Sequence, residues 1–319
     1  MRLIASIVCA LTLLASAAQA QEFPTSTVRL LVPFAAGGPT DVVARILAEL
    51  LSARWGGKTV LVENRPGAGT ILMTTAVAKA PPDGHTLGVA TNSLLINPAI
   101  GMKLPYDTFK EIVGVSMVAT QPVALVANKD FPATTLAETV ALAKKAAEPT
   151  NYTSPGPRGV GHLAGELLQQ KAGIRMTHIN YNGSAPALTD VIAGRVPLMF
   201  DIWHSGRRYV DSGELKLIAG AGPDPLPGAE NVAVIDKTYP GFTVVAFNAI
   251  IAPAATPPAV LDKLSAEVRA VVASPAFAER TRALGINAWG TTPKELDTWF
   301  AAETVKWAEI AKAANLKAE

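Results

Sequence analysis

The stretch VRLLVPFAAGGPTDVVARILAELLSAR, residues 28–54, decides the fold of the chain. Its beginning, VRLLVPF, is an apolar run of strand length that tolerates burial on both faces, and its end, DVVARILAELLSAR, has the periodicity of an amphipathic helix. Between them lies a glycine turn that ends at Gly38. Pro39 suits a first helical turn, and Thr40 and Asp41 are both plausible N-caps. Such a strand–turn–helix unit can bind an anion at its free N–H groups, although an ordinary connection explains it equally well.

The N-terminus reads as a secretory signal peptide over residues 1–20. Arg2 precedes an apolar run, and Ala18-Gln19-Ala20 matches the small-x-small cleavage pattern, so we expect the mature chain to begin at Gln21. The single cysteine of the chain, Cys9, lies inside this leader. The mature protein is therefore expected to have no disulfide or thiol chemistry, which suits the bacterial periplasm.

Composition predicts a globular protein of two lobes. Removing 20 leader residues from 319 leaves 299, more than one core usually holds. The formal net charge is +2 with no long charged run, which argues against nucleic acid as a partner. The chain lacks the common hydrolase, nucleotide-loop and zinc-protease motifs, and its four histidines show no metal-ligand spacing. We therefore expect a protein that is not an enzyme and uses no metal or cofactor.

Strands and helices alternate through most of the chain, which predicts an α/β fold with two mainly parallel sheets. The alternation fails twice, in the apolar runs near residues 112–128 and 242–252, and we interpret both as strands that cross between lobes. Domain 1 is then residues 21–122 plus 248–319, and domain 2 is residues 123–247. The stretch NYTSPGPRGVGHLAGELLQQKAG, residues 151–173, repeats the opening unit in domain 2.

Several motifs resemble the extracytoplasmic solute receptors of the tripartite tricarboxylate transporters, the Bug receptor family. They include VENRPGAG, AKAPPDG, YNGSAPAL and FNAIIAPAATP, and the similarity runs in order over nearly the whole mature chain. The resemblance implies a two-lobed periplasmic binding protein of a type II-like fold. It also implies a small carboxylate ligand and delivery to a permease with one small and one large subunit.

The same resemblance assigns the first ligand carboxylate to two loops. One runs from Phe34 to Asp41, with Gly38, Pro39 and Thr40 nearest the anion, and the other runs from Pro155 to His162. This chain departs from the family pattern G-x-G-S-x-S-H, since it reads GPRGVGH: Gly159 and Gly161 replace hydroxyl residues and Arg158 is added. It also has Asn182 where lysine is common, and IWHS at 202–205 where Asn-Leu-Pro-Ser is frequent.

Each candidate has a structural alternative. Thr40 can cap its helix, Arg158 can be a solvated charge, and His162 fits a structural role, capping the helix or bonding across the cleft, better than that of a sensor of ligand charge. Asp201 can receive a ligand hydroxyl or amino group or bond neighbouring backbone, and Trp203 can wall the pocket or pack inside. Asn92, Ser93 and Tyr181 lie at predicted strand ends that face the cleft and complete the set. The predicted ligand-binding residues are Phe34, Gly38, Pro39, Thr40, Asp41, Asn92, Ser93, Arg158, Gly159, Gly161, His162, Tyr181, Asp201 and Trp203.

The leading functional hypothesis is therefore a monomeric periplasmic receptor that closes two lobes around an organic anion. Arg158 favours a second negative charge on the ligand, so we expect a dicarboxylate, with an aromatic one as the bolder alternative. A ligand sensor that signals to a membrane histidine kinase fits the sequence as well as a transport receptor does.

Overall fold

The computed structural model describes residues 23–181, 183–282 and 284–313. The predicted signal peptide and Asn182 lie outside these residues.

The first lobe opens with three parallel strands in the order β2-β1-β3. The expected unit at residues 28–54 is present as a strand and a helix separated by a six-residue loop. The elements of this part are β1 (Val28–Val32), α1 (Pro39–Arg54), β2 (Val60–Asn64), a 3-10 turn (Ala68–Thr70), α2 (Ile71–Ala78), β3 (Thr86–Ala90), α3 (Ser93–Ala99) and α4 (Thr108–Glu111).

The chain then enters the long strand β4 (Ile112–Asn128), which belongs to both sheets. From Ile112 to Pro122 it pairs antiparallel with β9 (Val245–Pro253). From Val123 onward it pairs with β7 (Leu198–Ile202) and β8 (Leu215–Gly220) of the second sheet. The change of partner between Pro122 and Val123 is where β4 passes from one sheet to the other. The two runs predicted as crossing strands are thus β4, which joins both sheets, and β9, which among the described residues pairs only with β3 and with the first part of β4; the name crossing strands is kept for both.

The second lobe repeats the three-strand arrangement, with parallel strands in the order β6-β5-β7. Its elements are α5 (Leu136–Lys145), β5 (Thr150–Thr153), α6 (Val160–Ala172), β6 (Met176–Ile179), α7 (Ser184–Ile192), β7 (Leu198–Ile202), α8 (Trp203–Asp211), β8 (Leu215–Gly220) and α9 (Ile235–Thr238). After β9 the chain continues as α10 (Pro258–Val272), α11 (Pro275–Arg282), β10 (Asn287–Ala288) and α12 (Pro293–Ala313). Each sheet is mixed, because parallel strands join antiparallel crossing strands.

Strand direction makes the two sets of loops face each other. β3 and β4 both run antiparallel to β9 and so point the same way, whereas β7 runs antiparallel to β4. Ala90 at the end of β3 and Met117 of β4 both pair with Ala249 of β9, so β3 ends beside Met117. Ile202 at the end of β7 pairs with Val123 of β4. The carboxyl ends of the parallel strands therefore converge across six residues of β4, about 20 Å at roughly 3.3 Å per residue.

The terminal helix α12 fixes one side of this arrangement. Leu296 in its first half packs close to Gly114 of β4, and the side chain of Lys306 in its second half donates a hydrogen bond to the Thr243 carbonyl. Trp307 is fully buried in a cluster that also contains Phe242 and residues of both sheets. α12 thus packs along the crossing strands and contacts both lobes.

Candidate functional site

Two long helices, α1 and α6, begin in nearly the same way at the facing strand ends. Their N-cap residues are Gly38 (φ −77°, ψ 167°) and Gly159 (φ −86°, ψ 174°), and neither helix start receives a side-chain cap. The prediction that Thr40 or Asp41 caps α1 is therefore wrong, because the helix begins at Pro39. Uncapped N–H groups at the positive ends of helices of 16 and 13 residues form a suitable environment for an anion.

Asp41 stabilises the first loop through its carboxylate. This buried group accepts hydrogen bonds from the Gly37 N–H at 2.9 Å, from Asn64 at 2.9 Å and from Arg45 at 2.8 Å. Burial alone would raise the pKa of Asp41, but these hydrogen bonds outweigh it and hold the pKa below its ordinary value, the bond from Arg45 most of all. The carboxylate is thus ionised, paired with a cation and engaged in fixing the glycine turn.

Thr40 connects the start of α1 to the crossing strands. Its hydroxyl lies 3.3 Å from Nδ2 of Asn248 on β9, and Oδ1 of Asn248 accepts a hydrogen bond from Gln121 on β4. Gln121 and Asn248 are each 1% exposed, and Oε1 of Gln121 has no hydrogen-bond partner among the described residues. This buried polar chain lies at the base of the space between the strand ends.

The other first-lobe candidates differ in exposure. Phe34 is 42% exposed and Pro39 is half-buried, so both border solvent at the first loop. Asn92 is 3% exposed, donates to the Val245 carbonyl at 2.9 Å and accepts from the Phe247 N–H at 3.3 Å. Its amide therefore ties the end of β3 to β9. Ser93, the first residue of α3, is half-buried beside it.

Arg158 adopts the left-handed backbone conformation, with φ of +58°. A non-glycine residue in this region costs roughly 1 kcal/mol or more. Its side chain is partly exposed and forms no ion pair within the part of the chain that the structure describes.

His162 lies behind this loop in a cluster of titratable groups. Its Nδ1 accepts a hydrogen bond from the Arg158 N–H at 2.9 Å, and its ring stacks on His178 with centroids 4.0 Å apart. The hydroxyl of Tyr152 lies 2.9 Å from Oε1 of Glu166, which is 3.6 Å from Nε2 of His162. Burial, followed by the neighbouring His162, lowers the pKa of His178 to about 4.

Gly161 is a glycine for reasons of packing. A Cβ there would lie 2.5 Å from the Phe200 carbonyl oxygen and 2.8 Å from Cβ of Ser154. The first turn of α6 therefore rests directly against the end of β7. The glycine that this chain has here, where the pattern quoted above has a hydroxyl residue, permits this close approach.

Asp201 is a buried carboxyl group at the end of β7. It is 3% exposed, its Oδ1 accepts from the Ile202 N–H at 2.7 Å, and its Oδ2 has no hydrogen-bond partner among the described residues. Burial raises the pKa of Asp201 to about 7, against the opposing effects of Ser184, the Ile202 N–H and Ser205. Oδ2 of Asp201 is thus free to accept a hydrogen bond from a donor group.

The remaining two candidates, Tyr181 and Trp203, form hydrogen bonds within the second lobe. The hydroxyl of Tyr181 donates to Asp190 of α7, which also pairs with Arg195. Trp203 is 2% exposed, and its Nε1 donates to the Pro227 carbonyl at 3.0 Å. Packing explains Trp203 better than an aromatic wall does, so an aromatic ligand loses its main support.

Sequence reasoning missed several residues of these networks. The most informative are Gln121 and Asn248 on the crossing strands and Tyr152, Glu166 and His178 behind the second loop. Polar residues inside otherwise apolar strands were the available signal for the first pair. The described residues contain no group of three or more metal-ligating side chains, and within those residues no helix is both long and apolar enough to span a membrane.

Comparison with known proteins agrees with this geometry. The sequence model of the family "Tripartite tricarboxylate transporter family receptor" matches residues 43–316. A UPF0065 protein of Bordetella bronchiseptica is 34% identical over 316 residues, covering 99% of this chain and 93% of that protein.

Three solved structures are similar over most of both chains. Rpa4515 of R. palustris with adipate has a TM-score of 0.87 at 28% identity, over 93% of this chain and 100% of that one. The periplasmic binding protein BugD has a TM-score of 0.84 at 32% identity, with the same coverage. MatC from Rhodopseudomonas palustris with bound malate has a TM-score of 0.81 at 30% identity, over 90% and 99% of the two chains. The present chain therefore has the two-lobed periplasmic-binding-protein fold and belongs to the receptor family of the tripartite tricarboxylate transporters.

Proposed function

We propose that this protein is a periplasmic receptor that captures a small organic dicarboxylate and delivers it to the small and large permease subunits of a tripartite tricarboxylate transporter. The observation that carries the proposal is the pair of uncapped, glycine-started helices α1 and α6 at facing strand ends. Their dipoles and free N–H groups favour an anion between them. The adipate and malate bound to similar receptors are both dicarboxylates.

In this proposal, one ligand carboxylate lies between the Phe34–Asp41 loop and the Pro155–His162 loop. N–H groups of the first turns of α1 and α6 donate to it. Arg158, whose guanidinium has no acidic partner among the described residues, binds the second carboxylate, because its planar fork matches that geometry. Oδ2 of Asp201 accepts from a hydroxyl or amino group where the ligand carries one.

Capture requires the lobes to close, and the proposal takes domain 1 as residues 21–122 plus 248–319 and domain 2 as residues 123–247. Support comes from β4, which changes partner between Pro122 and Val123, and from β9, which pairs with β4 only as far as Val245. The hinge would lie at these positions. Small-angle scattering should show a more compact protein with ligand, and identical profiles would contradict closure.

Calorimetry with the mature protein tests the ligand class. Adipate and malate are titrated beside a matched monocarboxylate, an aromatic dicarboxylate and a neutral sugar. We expect one site per chain, a preference for an aliphatic dicarboxylate, and recovery of the ligand unchanged after prolonged incubation. Binding of the sugar without any acid would refute the proposal, and conversion of an acid would indicate an enzyme.

A further inference from the structure

The bond between His162 and Arg158 repeats at α6 the bond that Asp41 forms with the Gly37 N–H at the start of α1. The side chain of His162, in the first turn of α6, accepts a hydrogen bond from the backbone N–H of Arg158 just before the helix. Because Nδ1 is the acceptor, the neutral ring carries its proton on Nε2, which faces Oε1 of Glu166 at 3.6 Å. A second proton would have to go to Nδ1 and would remove the acceptor.

This bond holds a strained residue. Arg158 is one of three non-glycine residues with positive φ among those described, and its left-handed conformation is unfavourable for any residue with a Cβ. Such a conformation persists only where the surrounding structure enforces it. The acceptor on His162 supplies that restraint from within the same loop.

The ring of His162 is itself held in place. It stacks on His178 at an interplanar angle of 12°, and His178 lies 2.8 Å from both Oγ of Ser154 and Oδ1 of Asn180. The Tyr152 hydroxyl, which donates to Glu166, also lies 3.0 Å from the His162 carbonyl oxygen. The imidazole is therefore fixed by groups on β5, β6 and α6, and a change at the ring is transmitted to the loop.

The titratable groups around the ring determine which one responds to acid. Burial and the neighbouring ring hold the pKa of His178 low, near 4, so His178 stays neutral above pH 5. Burial of Glu166 is outweighed by hydrogen bonds from His162 and Tyr152, which lower its pKa, so it stays ionised. On the loop side the charged group is Arg158 itself. The remaining group of the cluster is His162, whose Nδ1 is the acceptor for the Arg158 N–H.

We propose that His162 is a positioning residue for ligand recognition, whose Nδ1 holds the backbone of Arg158 so that Arg158 and the first turn of α6 face the ligand. Protonation of Nδ1 releases the loop and weakens ligand binding. This inference rests on the proposed function, because it requires the β5–α6 loop to contact the ligand.

Two substitutions separate the acceptor from the charge. His162→Asn places a carboxamide oxygen near the position of Nδ1, an acceptor that does not titrate, whereas His162→Gln reaches toward the position of Nε2 and leaves the Nδ1 position without an acceptor. His85→Asn is the matched control, since His85 lies at the other end of β3 and bonds Thr25. Adipate and malate are the probes in calorimetry at pH 8 and pH 5.5.

We expect the wild type and His85→Asn to bind about tenfold more weakly at pH 5.5 than at pH 8, which is about the upper limit for the loss of one neutral hydrogen bond. His162→Asn should bind within about threefold of the wild type at pH 8 and lack most of the loss in acid, while His162→Gln should already be about tenfold weaker at pH 8. Any protonation of the ligand itself affects all four proteins equally. Equal pH profiles for the wild type and His162→Asn would overturn the proposal.

Hydrogen exchange of the Arg158 amide in the ligand-free protein gives a readout that needs no ligand. After correction for intrinsic exchange, its protection in the wild type should fall between pH 8 and pH 5.5, and it should be lost in His162→Gln. Protection that is independent of pH and of residue 162 would refute the positioning role. If the exchange behaves as expected and neither acid binds, the proposed ligand class fails while the restraint on Arg158 stands.

Discussion

Replacing Asp201 by asparagine should stabilise this protein in alkaline solution. Burial raises the pKa of Asp201 from 3.8 to about 7. An acid whose pKa is raised in the folded state contributes stability at low pH and loses it as the pH increases from about 4 to about 7. At pH 8 the ionised, buried carboxylate therefore opposes folding.

The magnitude follows from the difference in proton affinity. Each tenfold difference in proton affinity is worth about 1.4 kcal/mol. The raised pKa of Asp201 therefore costs about 4 kcal/mol of folding stability at pH 8 and about 2 kcal/mol at pH 5. Asparagine keeps the acceptor for the Ile202 N–H and puts an amide donor where Oδ2 has no partner. The advantage of Asp201→Asn over the wild type should thus grow by about 2–3 kcal/mol between pH 5 and pH 8.

Urea denaturation of both proteins at the two pH values measures this difference. Asp224→Asn, in the exposed loop after β8, is the matched control and should show no such growth. A constant difference between Asp201→Asn and the wild type at both pH values would refute the assignment of a raised pKa to Asp201. A variant less stable than the wild type at pH 8 would show that the ionised carboxylate has a partner.

Further substitutions test the Arg158 loop, the first turn of α6 and the loop after β8. Arg158→Ala should weaken dicarboxylate binding by about 1.5–3 kcal/mol in calorimetry and affect a monocarboxylate much less, and equal losses for both would make Arg158 a solvated charge. Arg158→Gly, which suits the left-handed backbone, should be more stable than Arg158→Ala by about 1 kcal/mol in thermal melts. Gly161→Ala should destabilise by about 1–3 kcal/mol, because its Cβ would collide with the Phe200 carbonyl. Gly159→Ala is the control, since its Cβ would lie 3.4 Å from the Gly156 carbonyl oxygen, and equal melting of the two variants would contradict the packing argument. Glu230→Ala, in an exposed position, should leave affinity within a few-fold, and a hundredfold loss, about 2.7 kcal/mol, would place that loop in the site.

The local pattern of the chain was sufficient for its main elements. The alternation of apolar runs and helical periodicity in residues 28–54 predicted β1 and α1, and the helix expected over residues 160–172 is α6. Both signals are local, because burial on one face imposes a period of 3.6 on a helix and burial on both faces permits a continuous apolar strand. The failure of that alternation also located β4, the strand that passes from one sheet to the other, and the long strand β9 beside it. The helix α8 was not predicted, because it has only nine residues and most of them are polar.

Only the tertiary structure decided what the polar side chains at the strand ends do. Asn92 has its amide engaged by β9, and Trp203 is buried against Pro227, although their sequence positions suit ligand contact equally well. His162 stacks on His178 because parallel pairing brings β6 beside β5 and its helix. Antiparallel pairing along β4 turns the two helix starts toward each other. Sequence periodicity records which face of an element is buried, but hydrogen-bond partners and strand direction depend on segments far away in the chain, so they are set only when the sheets assemble.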